Sequence, residues 1–311
     1  MDLAGIGGIW PASLTPFTPH GAIDDAALRD HLRDLATTPG VRALVVNGHA
    51  GEATSLDRAE RQGVVRTARE IADGKLGVVA GVIADDTRTA CALARDAAEA
   101  GADAVLLFPP GLFAQGAASR PEMALRFVGA VAAASPLPIV LFQLSLASGL
   151  GYPTDLLLRL CREVPAIIAV KEGSDIPAAY EANLRGLRGL DRPVTVLTTN
   201  NTWLHASLAY GGDGILSGLG SVAAPLLASL FEAWQRGDVV AARAANERLA
   251  PLTAVFYRAP ACDMHNRMKT ALHLLGQIPH PAPRPPLLPI GEVERAEIRA
   301  ALIAAGLLGA G

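Results

Sequence analysis

The sequence predicts a (β/α)8 barrel of the TIM type over residues 1–237, followed by a helical C-terminal domain over residues 238–311. Two observations carry that prediction. Short, almost wholly apolar runs alternate with longer amphipathic stretches as far as Gly237, and beyond Gly237 the strand signal stops. Unbroken apolar runs suit parallel strands buried on both faces, whereas strict alternation would mark a sheet with one wet face. A doubly wound sheet also alternates strand and helix, but it rarely needs eight strands in so short a span. Half of the 311 residues are hydrophobic, so a large core is available.

The first strand is read at Gly8–Leu14, and the helix after it at Asp24–Thr37 opens on acidic residues that suit the positive end of a helix dipole. Ala43–Asn47 leads into the helix Asp57–Asp73, and Gly77–Gly81 into Asp86–Ala100, where Gly101 is the expected C-cap. Ala104–Phe108 precedes Ser119–Ala134, and Pro138–Phe142 precedes Thr154–Cys161. Ile167–Lys171, Val194–Thr198 and Gly214–Leu216 precede helices at Asp175–Leu190, Thr202–Tyr210 and Pro225–Gln235. The C-terminal helices are read at Asp238–Tyr257, Asp263–Leu275 and Glu292–Leu308, the last two separated by the Pro-rich connector His280–Pro289.

Composition narrows the function. Lysine and arginine total 27 against 30 acidic residues, a formal charge of −3 without the basic surplus of a nucleic-acid binder. Three scattered cysteines (Cys91, Cys161 and Cys262) fit neither a disulfide framework nor a zinc knuckle. No basic segment precedes an apolar one near Met1, and no 18-residue apolar run occurs, so neither export nor a membrane span is expected. The expectation is a cytoplasmic protein with a small-molecule substrate.

In a barrel of this kind the chemistry sits at the C-terminal ends of the strands. Lys171 ends the apolar run Ala166–Lys171 and is one of only three lysines, the other 24 basic residues being arginine. Arginine stays charged, whereas a lysine in an apolar pocket loses its proton and becomes a nucleophile. A lysine snorkelling from the barrel mouth would occupy the same position, and position alone does not choose. Past the second strand, Gly48-His49-Ala50-Gly51-Glu52 suits a backbone nest for a carboxylate, with His49 as a group titrating near neutrality; an ordinary glycine turn reads the same way. Phe142-Gln143-Leu144-Ser145 follows the fifth strand and either lines a pocket or forms a solvated loop.

Other features say less. His265 and His273 share a helix face, but no further ligand completes a metal site. Gly218–Ser221 fits either a phosphate loop or a turn before Pro225, and Glu52 and Glu172 are read as hydrogen-bonding braces of the barrel. Walker A and nucleophile-elbow signatures are absent, and Gly5–Gly8 precedes a strand instead of following one.

Many spaced segments together resemble the dihydrodipicolinate synthase / N-acetylneuraminate lyase family of Schiff-base enzymes. They include Leu14-Thr15-Pro16-Phe17, Gly48-x-x-Gly51-Glu52, Ala80-Gly81-Val82, Ala100-Gly101-Ala102-Asp103, Lys171-Glu172-Gly173-Ser174, Gly211 through Ser217, and Arg267-Met268-Lys269 with Gly276. The resemblance places Lys171 as the imine-forming lysine of a class I aldolase or lyase acting on pyruvate or a related 2-oxo acid. It implies no cofactor and no metal, and a homotetramer. It puts the substrate carboxylate on the backbone around Gly48, His49 and Ala50, with Phe142, Gln143, Tyr152, Thr199 and Leu216 as further substrate contacts.

The departures matter as well. Where the family carries a proton-relaying tyrosine at the end of strand five, this chain has Phe142, and the Thr-Thr of the carboxylate loop is replaced by His49-Ala50. Ala147 stands where the dihydrodipicolinate synthases carry an arginine, and of Tyr152, Tyr180, Tyr210 and Tyr257 only Tyr152 falls in a loop near the mouth. The expectation is therefore an enzyme other than dihydrodipicolinate synthase, with His49 as proton shuttle and Gln143 and Tyr152 as secondary candidates. Two alternatives stand beside it: a hydro-lyase acting on a 2-keto-3-deoxy sugar acid, and a binding or regulatory protein that has lost catalysis.

Overall fold

The computed structural model describes residues 1–309. Its strands are β1 (Gly8–Pro11), β2 (Ala43–Val46), β3 (Gly77–Val82), β4 (Ala104–Leu107), β5 (Ile139–Gln143), β6 (Ile167–Glu172), β7 (Thr195–Thr198) and β8 (Gly214–Ser217). All eight pair in parallel in the order β1-β8-β7-β6-β5-β4-β3-β2. Bridges Ile9↔Val41 and Ala12↔Val45 bring β1 back to β2 and close the (β/α)8 barrel. Nearly every strand residue is buried, as the unbroken apolar runs require.

The helices start where their signals lie. Asp24 caps α1 (Asp25–Thr37), Asp57 and Glu60 form a reciprocal capping box at α2 (Arg58–Ala72), and Asp86 caps α3 (Thr87–Glu99). Proline occupies the first turn of α4 (Pro121–Ala134) and α6 (Pro177–Arg188), where no intrahelical N–H is needed. Between and after them lie α5 (Thr154–Glu163), α7 (Leu204–Ala209) and α8 (Gly220–Gln235). The last of these begins before Pro225: the turn from Gly220 is helical, the chain breaks at Ala223, and Pro225 opens the second segment.

After Gly237 come α9 (Val239–Phe256), α10 (Met264–Leu274) and α11 (Glu292–Ala304). α9 packs along α8 and α11 along α9, so α8 is covered by the barrel on one side and the appendage on the other. Among the described residues no helix is long and apolar enough to cross a membrane.

One ionic cluster fastens the appendage to the mouth of the barrel. Lys269 on α10 is fully buried and donates to the buried Glu52 carboxylate, which also accepts the Arg284 amide at 3.0 Å. The Arg284 guanidinium reaches Glu60, the Gly21 carbonyl at 2.7 Å and the Ser55 carbonyl at 2.8 Å. Both cations lie over the Phe17 ring, at 4.2 and 4.5 Å from its centroid. Glu52 is thus a brace, as its place in the sequence suggests, and its partners come from the far end of the chain. Removing one member of a buried pair strands the other, at a cost of about 3–5 kcal/mol. Glu52→Ala and Lys269→Met are each expected to lower stability by that amount in urea unfolding, while the double variant loses less than the sum. Single-variant losses under about 1 kcal/mol would contradict the pair's role.

Candidate active site

A cavity of about 290 Å³ opens at the C-terminal ends of the strands, lined by Lys171, His49, Gly48, Ala50, Phe142 and Thr199 among others. Six of the nine residues that the sequence marks for this site therefore meet there. The backbone explains how the β2 end contributes. Asn47 turns left-handed, with φ 57°, and its carbonyl presses against β3, where a Cβ on Gly81 would lie 2.0 Å from that oxygen. Only glycine at 81 lets the loop fold over the barrel. The turn then closes through Glu52 N–H to His49 carbonyl at 3.0 Å and Ala53 N–H to Gly48 carbonyl at 3.3 Å. Among the described residues, the His49 and Ala50 amides donate to no protein group, as a site for a carboxylate requires.

Lys171 is 7% exposed, and its Nζ lies 4.1 Å from the centroid of the Phe142 ring. Burial pulls its pKa from 10.5 down to about 7. The two other lysines behave differently: Lys75 pairs with Asp73 at 2.8 Å on the surface, and Lys269 is paired with Glu52. Among the described residues no carboxylate pairs with Lys171. Its neighbour Glu172 faces the opposite side of β6 and accepts from Asn183 Nδ2 at 2.9 Å, Asn200 Nδ2 at 3.0 Å and the Ser174 amide at 3.3 Å. Burial raises the Glu172 pKa against these three donors, which oppose the rise.

His49 stacks at a tilt on Phe108, with ring centroids 4.6 Å apart, and Phe108 meets Phe142 edge-on at 5.0 Å. The imidazole is open to the cavity, yet the surrounding protein and then Lys171 hold its pKa below the ordinary histidine value. It is a neutral group near pH 7. Phe142 lines the wall where the resemblance places a relay tyrosine, and its ring carries no transferable proton.

Three expected contacts lie elsewhere. The Gln143 amide faces away from the cavity, donating to the Tyr152 carbonyl at 3.0 Å and accepting the Tyr152 amide at 3.0 Å. Strand alternation explains this, because Phe142 takes the inward position and Gln143 the outward one. Tyr152 is buried behind that contact, and among the described residues its hydroxyl meets no partner. Leu216 is fully buried beside Trp10 in the β1–β8 ladder, and β8 reaches the cavity only two residues later, at Gly218.

The appendage supplies what the sequence did not reveal. Tyr257, Met264 and His265 line the cavity, so the tyrosine at the mouth is Tyr257 and not Tyr152. Its hydroxyl lies 3.4 Å from Ser217 Oγ, which donates to Asn201 at 2.5 Å. His265 packs against Gly218, where a Cβ would stand 3.2 Å from its ring. His273, its partner on the helix face, instead has Nδ1 3.2 Å from the Ile278 carbonyl. The β6 and β7 loops complete the rim with Asp175, Asn201 and Thr202. Among the described residues no group of three metal-ligating side chains occurs.

Known proteins share both the sequence pattern and the fold. The model of the dihydrodipicolinate synthetase family matches residues 5–305. The 4-hydroxy-tetrahydrodipicolinate synthase of Methanothrix thermoacetophila is 31% identical over 295 residues, covering 94% of each chain. That of Methanopyrus kandleri is 30% identical over 307 residues, covering 97% of each. The crystal structure of YagE, a prophage protein of the same family from E. coli K12 in complex with pyruvate, superposes with TM-score 0.88 at 26% identity, covering 98% of this chain and 100% of that one. A structure described as the first monomeric dihydrodipicolinate synthase variant gives TM-score 0.90 at 25% identity, covering 99% and 100%. These names lend no support to the expectation that dihydrodipicolinate synthesis is excluded. A lyase of the class I aldolase type, the chain belongs to the dihydrodipicolinate synthetase family.

Proposed function

We propose that Lys171 attacks the ketone of pyruvate or a related 2-oxo acid, and that the resulting imine serves as the electron sink for making or breaking a carbon–carbon bond. The observation that carries this reading is the buried, unpaired Lys171 amine at the cavity wall. The substrate carboxylate rests on the His49 and Ala50 amides. His49, neutral and beside that carboxylate, shuttles the proton at the C2 oxygen as water leaves and returns. The three cysteines stay unpaired, in keeping with action in the cytoplasm.

A second reading, loss of water from a 2-keto-3-deoxy sugar acid through the same imine, draws on the hydroxyl- and amide-rich rim of Thr199, Asn201 and Thr202. Product analysis separates the two, since dehydration keeps the carbon chain whole. The assay panel includes the second substrate of the dihydrodipicolinate synthases, because the relatives bear that name. A purely binding member of the family would form no imine.

Borohydride treatment with pyruvate is expected to add covalent mass at Lys171 and to leave Lys171→Ala unlabelled. Label mapped to Lys75 or Lys269 would overturn the assignment. Because the amine loses its proton near pH 7, the initial trapping rate should climb from pH 6 to 8 and then level off. A rate still climbing steeply at pH 10 would show an ordinary lysine.

His49→Ala is expected to leave the equilibrium amount of trapped imine unchanged while kcat falls about 10²–10⁴-fold. A raised KM with unchanged kcat would make His49 a carboxylate contact only. The assembly is proposed as a homotetramer, since Leu112, Val240, Leu288 and Val293 stand exposed on the isolated chain. Light scattering that finds only the monomer at micromolar concentration overturns that part.

A further inference from the structure

The titratable groups of the cavity wall are few, and their charges constrain what can meet the imine. They are His49, Lys171, Asp175, Tyr257 and His265. Burial is the first cause that holds both imidazoles well below the ordinary histidine value, so each is neutral near pH 7. Burial raises the Tyr257 phenol, which therefore stays protonated. Among the described residues, Lys171 is thus the one cation of the wall and Asp175 the one anion. The cations packed behind the wall are engaged: Lys269 is paired with Glu52, and the Arg284 guanidinium with Glu60 at 2.7 Å.

This balance shifts as the reaction proceeds. A protonated imine on Lys171 offsets the carboxylate of bound pyruvate. Loss of a C3 proton gives the enamine, whose nitrogen is uncharged. When the carbon–carbon bond forms, the cavity therefore holds the pyruvate carboxylate, Asp175 and no cation. A carboxylate on the second substrate would be a third negative charge without a counter-ion, and stripping water from an unpaired carboxylate is costly.

Hydroxyl groups meet the opposite reception. Asp175 is fixed at the rim in left-handed backbone, φ 59°, with its N–H donating to Asn200 Oδ1 at 3.0 Å. Its carboxylate accepts the Trp203 indole N–H at 3.2 Å, which occupies only one of its acceptor sites. Asn201 uses its oxygen on Ser217 at 2.5 Å and one N–H on the Thr199 carbonyl at 2.7 Å, which leaves the second N–H for a ligand oxygen. Ser145, Thr199 and Thr202 add hydroxyls that both donate and accept.

We propose that the second substrate is an uncharged aldehyde bearing hydroxyl groups, and that Asp175 is the residue that selects it. This rests on imine formation at Lys171. The enamine C3 bonds to the aldehyde carbon, the carbonyl π pair moves onto oxygen as an alkoxide, and the nitrogen becomes an iminium again. The alkoxide takes up one proton, matching the one lost from C3. The water released in forming the imine is taken up when the product leaves Lys171 as a 4-hydroxy-2-oxo acid. Hydroxyls beyond the new bond donate to Asp175 and accept from Asn201.

With pyruvate in excess, glyceraldehyde, propionaldehyde, succinic semialdehyde and aspartate semialdehyde are compared as second substrates, and the products are followed by NMR. Glyceraldehyde is expected to exceed both acids in kcat/KM by on the order of 10²-fold, and propionaldehyde by about tenfold. Asp175→Asn keeps a residue type that tolerates left-handed backbone. It should trap as much borohydride adduct at Lys171 as wild type, raise KM for glyceraldehyde and narrow the gap to the acids, a change of selectivity that a merely structural aspartate would not give. Equal or better use of either acid overturns the proposal. Propionaldehyde that matches glyceraldehyde overturns the role of the hydroxyls, and unchanged ratios in Asp175→Asn overturn that of Asp175. Trapping without condensation with any of the four overturns the proposal and leaves the imine reading standing. A wild-type protein that traps nothing would instead fail the imine reading itself, and the choice of aldehyde with it.

Discussion

Lys171 lies at the penultimate position of a strand whose other residues are apolar except Glu172, and among the described residues no carboxylate reaches its amine. Burial then makes the ammonium the costly state, and the pKa falls to about 7. Much of the mouth is arranged so that this stays true. A carboxylate paired with Lys171 would lift that pKa back, and the two buried glutamates of the barrel are both engaged elsewhere. Glu172 is turned outward and held by Asn183 and Asn200, while Glu52 is taken by Lys269 and the Arg284 amide. The braces of the barrel thus also keep anions away from the amine. Phe142 and Phe108 add to the same effect by presenting aromatic surface where water would otherwise solvate the charge.

The appendage enters this balance at two levels. Through Lys269 and Arg284 it neutralises Glu52 and pins the loop that carries the free His49 and Ala50 amides. Through Tyr257, Met264 and His265 it roofs the cavity on the side where β7 and β8 end. Gly218 matters to the second contact, because a side chain there would push the imidazole away. The loop after β2 and the cavity wall are thereby both held by a segment that contributes no strand.

The barrel was legible because burial on both faces writes itself into the chain as unbroken apolar runs, and all eight runs became strands. Lys171 was legible for a chemical reason: in a chain that uses arginine nearly everywhere, a lysine ending an apolar strand has few other purposes. The first strand was drawn too long, since β1 ends at Pro11, Ala12 makes only an isolated bridge to Val45 and lines the cavity, and Leu14 is buried beyond it. Gln143 misled because a polar residue at a strand end satisfies a backbone as readily as a ligand, and here it holds Tyr152. Tyr257 and His265 were out of reach. Their helices announce only amphipathicity, and which face meets the barrel is decided by the docking of α9 and α10, a tertiary fact with no local signature. Arg267-Met268-Lys269 was the nearest hint, since a lysine and an arginine buried on one helix require partners outside it.

Because three cavity positions belong to the appendage, selectivity and scaffold are subject to different constraints. Replacing a strand residue disturbs a packed barrel core, where lost volume costs about 2–5 kcal/mol. Tyr257, Met264 and His265 are only partly buried and sit outside the strand layers, so their side chains vary without that penalty. Lys171, the loop after β2 and the Glu52–Lys269 anchor sit in the packed barrel and its buried ion pair, whereas the roof lies outside those constraints. New reactions on this scaffold have their cheapest mutational route through the last quarter of the chain, in residues that a comparison restricted to the barrel would leave out.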